Sequence, residues 1–220
     1  MHIDQTIRSK RKTIQILVTY EGKLIVRAPL RTSQAKIEAA VASKEAWIRT
    51  KQAQFKILYP PRPARNYRSG EKFLLLGQEY PLKIATDQKE ALVFQDGFSL
   101  SKVFQKQAPI VFEKWYRQQA RQYLTGEVER LANKYGFNIP KIRITSAQAR
   151  FGSCSTSGLN FPWRLIMAPP EAIEYVVIHE LAHFKVKGHP AQFWELVGEL
   201  LPGYQKPKTW LKKYGYTLTL

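Results

Sequence analysis

A single cysteine, Cys154, is all the sulfur nucleophile that the 220-residue chain carries. No internal disulfide can form, and a reducing compartment suits the chain. Long apolar runs are absent as well: none reaches the ~18 residues that a membrane span needs. The opening residues, MHIDQTIRSKRKTIQILV, lack the apolar stretch and small-residue cleavage site of a signal peptide. A cytoplasmic location is therefore expected. Acids are scarce: 17 against 35 basic residues leave a net charge of +18. None occurs between Ala46 and Gly70, where Arg49, Lys51, Lys56, Arg62, Arg65 and Arg68 lie, and none between Arg130 and Pro170. After Glu199 only Lys206, Lys208, Lys212 and Lys213 are charged. Such a field draws polyanions, so nucleic acid or nucleotide is a candidate partner, although bulk charge specifies nothing.

Hydrophobic residues make up 44% of the chain, which is sufficient for a packed core. TIQILVTYEGKLIVRAP reads as two strands about a Glu21–Gly22 turn. TSQAKIEAAVASKEAWIRTKQAQFKIL reads as one long helix capped at Thr32 or Ser33, with Ile37, Val41, Ile48 and Phe55 at helical spacing. YPPRPARNYRSG is a breaker-rich linker. KFLLLGQEYPLKIA and ALVFQDGFSLS supply further strands, with turns at Gly77 and Asp96–Gly97. Residues 1–105 are thus expected to form a β-rich region with one long helix, and 106–220 a second domain. That second half opens with a long helix ending near Gly136, continues as strand, polar loop and strand, and then enters a helix at Pro169–Pro170. Glu171 and Glu174 lie in its first turns, as the helix dipole favours.

This last helix carries VVIHELAHFKVKGHPAQFW, which holds three of the chain's four histidines. His179 and His183 are four apart, so a helix puts both imidazoles on one face, about one turn apart. Glu180 sits about 100° further round. It is badly placed as a third ligand but can reach a water held by a metal, which makes His-Glu-x-x-His a ligand pair with a general base. Gly188 provides a turn and Pro190 suits the start of another helix, so His189 can point back at the pair. Phe193, Val197, Leu200 and Leu201 form the apolar face that holds it. His189 is the expected third ligand, with Glu195 and Glu199 as rivals. Three imidazoles and an open position favour one zinc ion at ~2.0–2.1 Å per nitrogen, while manganese, iron and nickel use similar donors. An apolar helix has no reason to bury two histidines and a glutamate unless they are satisfied together.

The run RFGSCSTSG…WRLIMAPPEAIEYVVIHELAHFKVKGHPAQFWELVGELLPGY resembles the YgjP-like metallopeptidase family, related to the SprT-like and other minimal zincin zinc peptidases. RKTIQILVTYEGKLIVRAP, KEAWI and LGQEYPLKI extend the resemblance over nearly the whole chain. It implies an α+β fold with a zincin-like catalytic domain, in which a small sheet lies over the HExxH helix. It implies zinc on His179, His183 and His189, and Glu180 as the base. Pro162 departs from the pattern, which has asparagine before WRL; a proline there fits a sheet edge or bulge.

The expected activity is zinc-dependent hydrolysis of peptide or protein, with an extended substrate paired to an edge strand formed by GLNFPWRLIMAP. Arg150, Arg164 and Tyr204 are candidates for binding substrate or steadying the oxyanion. Cys154, in the FGSCS loop, is read as a small packed residue. Alternatives are a metal-dependent nucleoside-triphosphate pyrophosphatase, a protease acting on nucleic-acid-bound proteins, and a structural zinc site. The first of these lacks a Gly-rich phosphate loop.

Overall fold

The computed structural model describes residues 1–19, 22–58, 65–148 and 150–220. The turn residue Glu21 and the first part of the linker fall outside them. The chain divides into two compact units, Met1–Ala64 and Arg65–Leu220. Among the described residues there are six α-helices and three small sheets, a mixed α+β fold. No helix among them is long and apolar enough to cross a membrane.

In the first unit β3 (Leu24–Pro29) lies between β1 (Gln5–Ser9), parallel to it, and β2 (Gln15–Val18), antiparallel to it. Leu24, Val26 and Ala28 alternate inward and meet Ile37, Val41 and Ile48, all buried. The helix expected here is two helices, α1 (Gln34–Ala42) and α2 (Glu45–Leu58). Ser33 caps the first by accepting from the Lys36 N–H. Ser43 ends it: its N–H closes the last ladder bond, to the Ala39 carbonyl, while its hydroxyl takes the Ala40 carbonyl and the Lys44 N–H turns to Val41 instead. That competition with the helix ladder is what interior serines do.

The second unit begins with a four-stranded sheet, ordered β4-β5-β7-β6 (Lys72–Leu75, Gln78–Ala85, Phe98–Ser101, Leu92–Phe94). Its two outer pairs are antiparallel and β5–β7 is parallel. The 28-residue helix α3 (Ala108–Tyr135) ends at Gly136, whose φ of 69° provides the left-handed cap. Phe112, Tyr116, Ala120, Leu124, Val128 and Leu131 make a stripe on it, all fully buried. Phe73 and Phe98 of the sheet pack on Phe112 at 4.4 and 5.2 Å between centroids, and the Tyr116 hydroxyl donates to the Leu74 carbonyl at 2.6 Å. Strands 72–101, expected to belong with the N-terminal half, therefore share one core with α3 and everything after it. The compact units part at 64/65 instead of near 105 because that apolar face is covered from the C-terminal side.

The third sheet is ordered β8-β10-β9 (Ile142–Thr145, Gly158–Pro162, Ser153–Ser155), with β10 parallel to β8 and antiparallel to β9. The expectation that GLNFPWRLIMAP forms an edge strand is thus corrected. Only Gly158–Pro162 is strand, it is central, and Trp163–Met167 is a 3-10 turn. Pro162 ends the strand, beyond the last residue paired with β9, where its missing N–H is tolerated. The turn is pinned to the tip of the β4–β5 hairpin, where Leu76 and Gly77 N–H groups donate to the Ile166 and Met167 carbonyls. It delivers the chain to α4 (Pro170–Ala182), with proline at the first helical position.

Candidate metal centre

Helix α4 is apolar nearly all round and is buried at Ala172, Ile173, Tyr175–Ile178 and Glu180–Ala182. A helix of that composition is a core element, and the functional side chains project from it. It ends sooner than the sequence indicates, at Ala182, six residues before Gly188. Phe184, Lys185 and Val186 N–H groups return to Leu181 and Ala182 carbonyls, closing tight turns. His183 caps the helix, and its Nδ1 lies 3.2 Å from the Val186 carbonyl. A carbonyl only accepts, so Nδ1 carries a proton, which leaves Nε2 as the nitrogen that can face an ion. Gly188, at φ 74°, then turns the loop so that His189 faces back, ahead of α5 (Ala191–Leu200).

His179, His183 and His189 converge, with one ligand-capable nitrogen from each lying within 4.8 Å of the others. His179 Nε2 and His189 Nε2 are 3.1 Å apart. Two bonds of ~2.0–2.1 Å from one tetrahedral ion would hold their nitrogens roughly 3.4 Å apart, so this pair is close to ligand spacing. All three imidazoles rest on the buried ring of Phe193, at centroid distances of 4.9, 4.5 and 4.8 Å. Burial holds the basicity of His179 far down, to about 3, helped by the charges of His183, His189 and Lys208. His189 is lowered by burial and by the same two kinds of neighbour. Neutral rings are what a cation binds. His179 Nδ1 is buried without a hydrogen-bond partner among the described residues. Its ring is oriented by packing against Tyr175 and Phe193. The donor set fits one zinc-like ion.

Glu180 is one of two buried polar residues among those described, at 5% exposure. Burial raises its carboxyl to about 7, against the charge of Arg150 and a hydrogen bond donated by the Cys154 backbone N–H. Edge strand β9 therefore meets α4 at this carboxylate. Gly152 makes room for the side chain: a Cβ there would lie 2.5 Å from Glu180 Oε1 and 2.6 Å from its Cγ.

The remaining sequence candidates separate. Arg150 is exposed and acts on Glu180 through its charge. Tyr204 stacks between Tyr175 and Trp194, at 6.2 and 5.7 Å, and Trp194 stacks on His189 at 5.7 Å. Arg164 is engaged elsewhere, donating to the Ala147 carbonyl at 3.4 Å and lying over Trp163, with Glu113 and Arg117 as its charged neighbours. Glu195 and Glu199 are exposed on α5, turned away from its buried Phe193–Val197 face, and do not join the histidine cluster. Cys154 is half-buried, and burial followed by the charge of Glu180 pushes its thiol up. Three contributors escaped sequence reasoning: Gly152, Trp194 and Lys208, whose ammonium sits 3.4 Å from the Trp194 ring centroid. The Phe–Gly pair in RFGSC and the FW pair after the third histidine were the available signals.

The crystal structure of the metallopeptidase zymogen of Pyrococcus abyssi abylysin is 23% identical, covering 42% of this chain and 95% of that one, with a TM-score of 0.38. No curated protein sequence matches the chain. The model of the YgjP-like metallopeptidase domain matches residues 12–214, nearly the full length and the whole histidine site. The chain belongs to the YgjP-like metallopeptidase family.

Proposed function

We propose that the chain is a zinc-dependent peptidase, with the ion held by His179, His183 and His189 and with Glu180 as general base. The observation that carries this reading is the convergence of three imidazoles beside a buried carboxylate on the same helix. A bound zinc ion supplies Lewis acidity, polarising a carbonyl and making water easier to deprotonate. The Glu180 carboxylate takes the proton of the attacking water and returns it to the nitrogen of the leaving amine. Without the ion, burial raises this carboxyl to about 7; the charge of a bound ion favours the carboxylate, the form that accepts the proton. The Cys154 N–H, hydrogen-bonded to the carboxylate, favours its charged form. An extended peptide reaches the site along β9, the strand on the outside of its sheet next to α4, and not along β10. Arg150 and Tyr204 stay as candidates for steadying substrate; Arg164, tied to Ala147 and Trp163, does not.

The test is incubation of zinc-loaded protein with a mixed peptide library and, separately, with nucleoside triphosphates, read by mass spectrometry. Cleaved peptides with intact triphosphates are expected. Triphosphate hydrolysis with no peptide cleavage would replace this reading by the pyrophosphatase one. The basic charge supports a second, separable role. Residues 1–64 hold thirteen basic and four acidic residues, so half of the net +18 lies on the smaller unit. A polyanion such as nucleic acid is the partner this charge fits, and its affinity should fall steeply with salt. Affinity for duplex DNA that is flat from 50 to 200 mM salt, on the order of the range over which backbone contacts are lost, sinks that role.

A further inference from the structure

Two glycines of the second unit are required for space and not for backbone freedom. Gly152 does not adopt a positive φ. Gly215, at φ −59° and ψ −23°, has a helical backbone that any residue adopts. A Cβ at 152 would collide with the Glu180 carboxylate, as described above. A Cβ at 215 would collide with Phe151, overlapping Cζ and lying 3.0 Å from Cε2. Gly215 is buried where α6 (Gln205–Tyr214) runs into the last turn of the chain. Phe151 is half-buried against the main core. The two glycines thus bracket one short segment: Phe151 seats on Gly215, the next residue closes on Glu180, and Cys154 two residues later donates to the same carboxylate.

We infer that the seat of Phe151 on Gly215 is a positioning device for Glu180, by which the C-terminal segment fixes the 151–154 loop and, through it, the carboxylate. Phe151 and Gly215 are positioning residues that touch no reacting atom, and Gly152 is the wall through which they act on the carboxylate. A methyl at 215 overlaps the tip of the Phe151 ring and displaces it, and the ring is covalently next to the residue that walls in Glu180. A base displaced by a fraction of an ångström to 1 Å loses rate by about ten- to a hundredfold. The kinetic arm of this inference rests on the reading of Glu180 as base; the structural arm does not.

The experiment is made on the full chain with zinc bound, comparing wild type, Gly215→Ala, the double variant Gly215→Ala/Phe151→Leu, and Glu180→Gln. The readouts are residue-resolved hydrogen exchange at the Cys154 amide, zinc content, and kcat and KM on a cleaved peptide. In Gly215→Ala the Cys154 amide is expected to exchange about tenfold or more faster, and kcat to fall about tenfold, with KM and zinc content unchanged. The smaller side chain in the double variant should restore both. Wild-type exchange at Cys154 in Gly215→Ala overturns the inference, as does a double variant that folds and binds zinc but recovers neither readout. A kcat unchanged by Gly215→Ala, while Glu180→Gln is inactive, overturns it too. Faster Cys154 exchange together with a fully active Glu180→Gln supports the coupling and removes only the base assignment.

Discussion

Burial acts on the neighbours His179 and Glu180 in opposite directions and drives both towards the uncharged form. The imidazole is held down to about 3 and the carboxyl pushed up to about 7. In metal-free protein each has a pH window. For Glu180, the folded state holds its proton more tightly than the unfolded one between 4.5 and about 7, so that stability is complete below 4.5 and is lost as pH rises through 7. Glu180→Gln, measured in chelator, is therefore expected to be more stable than wild type at pH 8, by roughly 2–3 kcal/mol, and equal to it below pH 4.5. Denaturant unfolding at the two pH values checks this; a variant less stable at pH 8 contradicts it. His179 runs the other way, with stability complete above 6.5 and lost as pH falls towards 3. The rings also share a support. Phe193→Leu keeps an apolar side chain but removes the ring that stacks on His183 and meets His179 and His189 edge-on. It is expected to lower zinc affinity by about tenfold, as loss of ligand orientation does, and stability by about 1 kcal/mol. Chelator competition reads the first and thermal unfolding the second.

Elements of local origin were legible in the sequence. The α3 stripe repeats at helical spacing and Gly136 ends it, so pattern and cap agree. The histidine pair, the turn at Gly188 and the returning His189 span eleven residues, and short-range geometry suffices to bring them together. What sequence reasoning missed depends on partners far along the chain. Alternation predicts that a segment is a strand but not which strand lies beside it. Thus the parallel pairs β1–β3 and β5–β7, and the central place of β10, were hidden. Gly152 was hidden for the same reason, since its role is set by Glu180, 28 positions away. One long-range tie between elements is a single bond: the Tyr116 hydroxyl on α3 donates to the Leu74 carbonyl of β4. Tyr116→Phe leaves that part-buried carbonyl without this donor and should cost about 1 kcal/mol. Equilibrium unfolding measures it, and a neutral result would mean that the bond adds nothing to how α3 holds the four-stranded sheet.

At the scale of the molecule, the boundary near 105 failed because composition changes there while the core does not. Strands 72–101 look like the β-rich first half in sequence, yet their Phe73 and Phe98 complete the aromatic cluster of α3. The second unit thus carries the three-histidine cluster, Glu180, and the Gly152 and Gly215 contacts, all in Arg65–Leu220. The family match spans both units and ties the site to a metallopeptidase. The claim on which the rest depends is that Glu180 moves the proton while the three histidines hold the ion. Glu180→Gln removes the base and keeps the side chain's shape, so zinc content and peptide hydrolysis measured on the same sample separate the two roles. One zinc per chain with hydrolysis reduced by about a hundredfold or more is the expected result. A variant that binds zinc and cleaves peptide at the wild-type rate would contradict it.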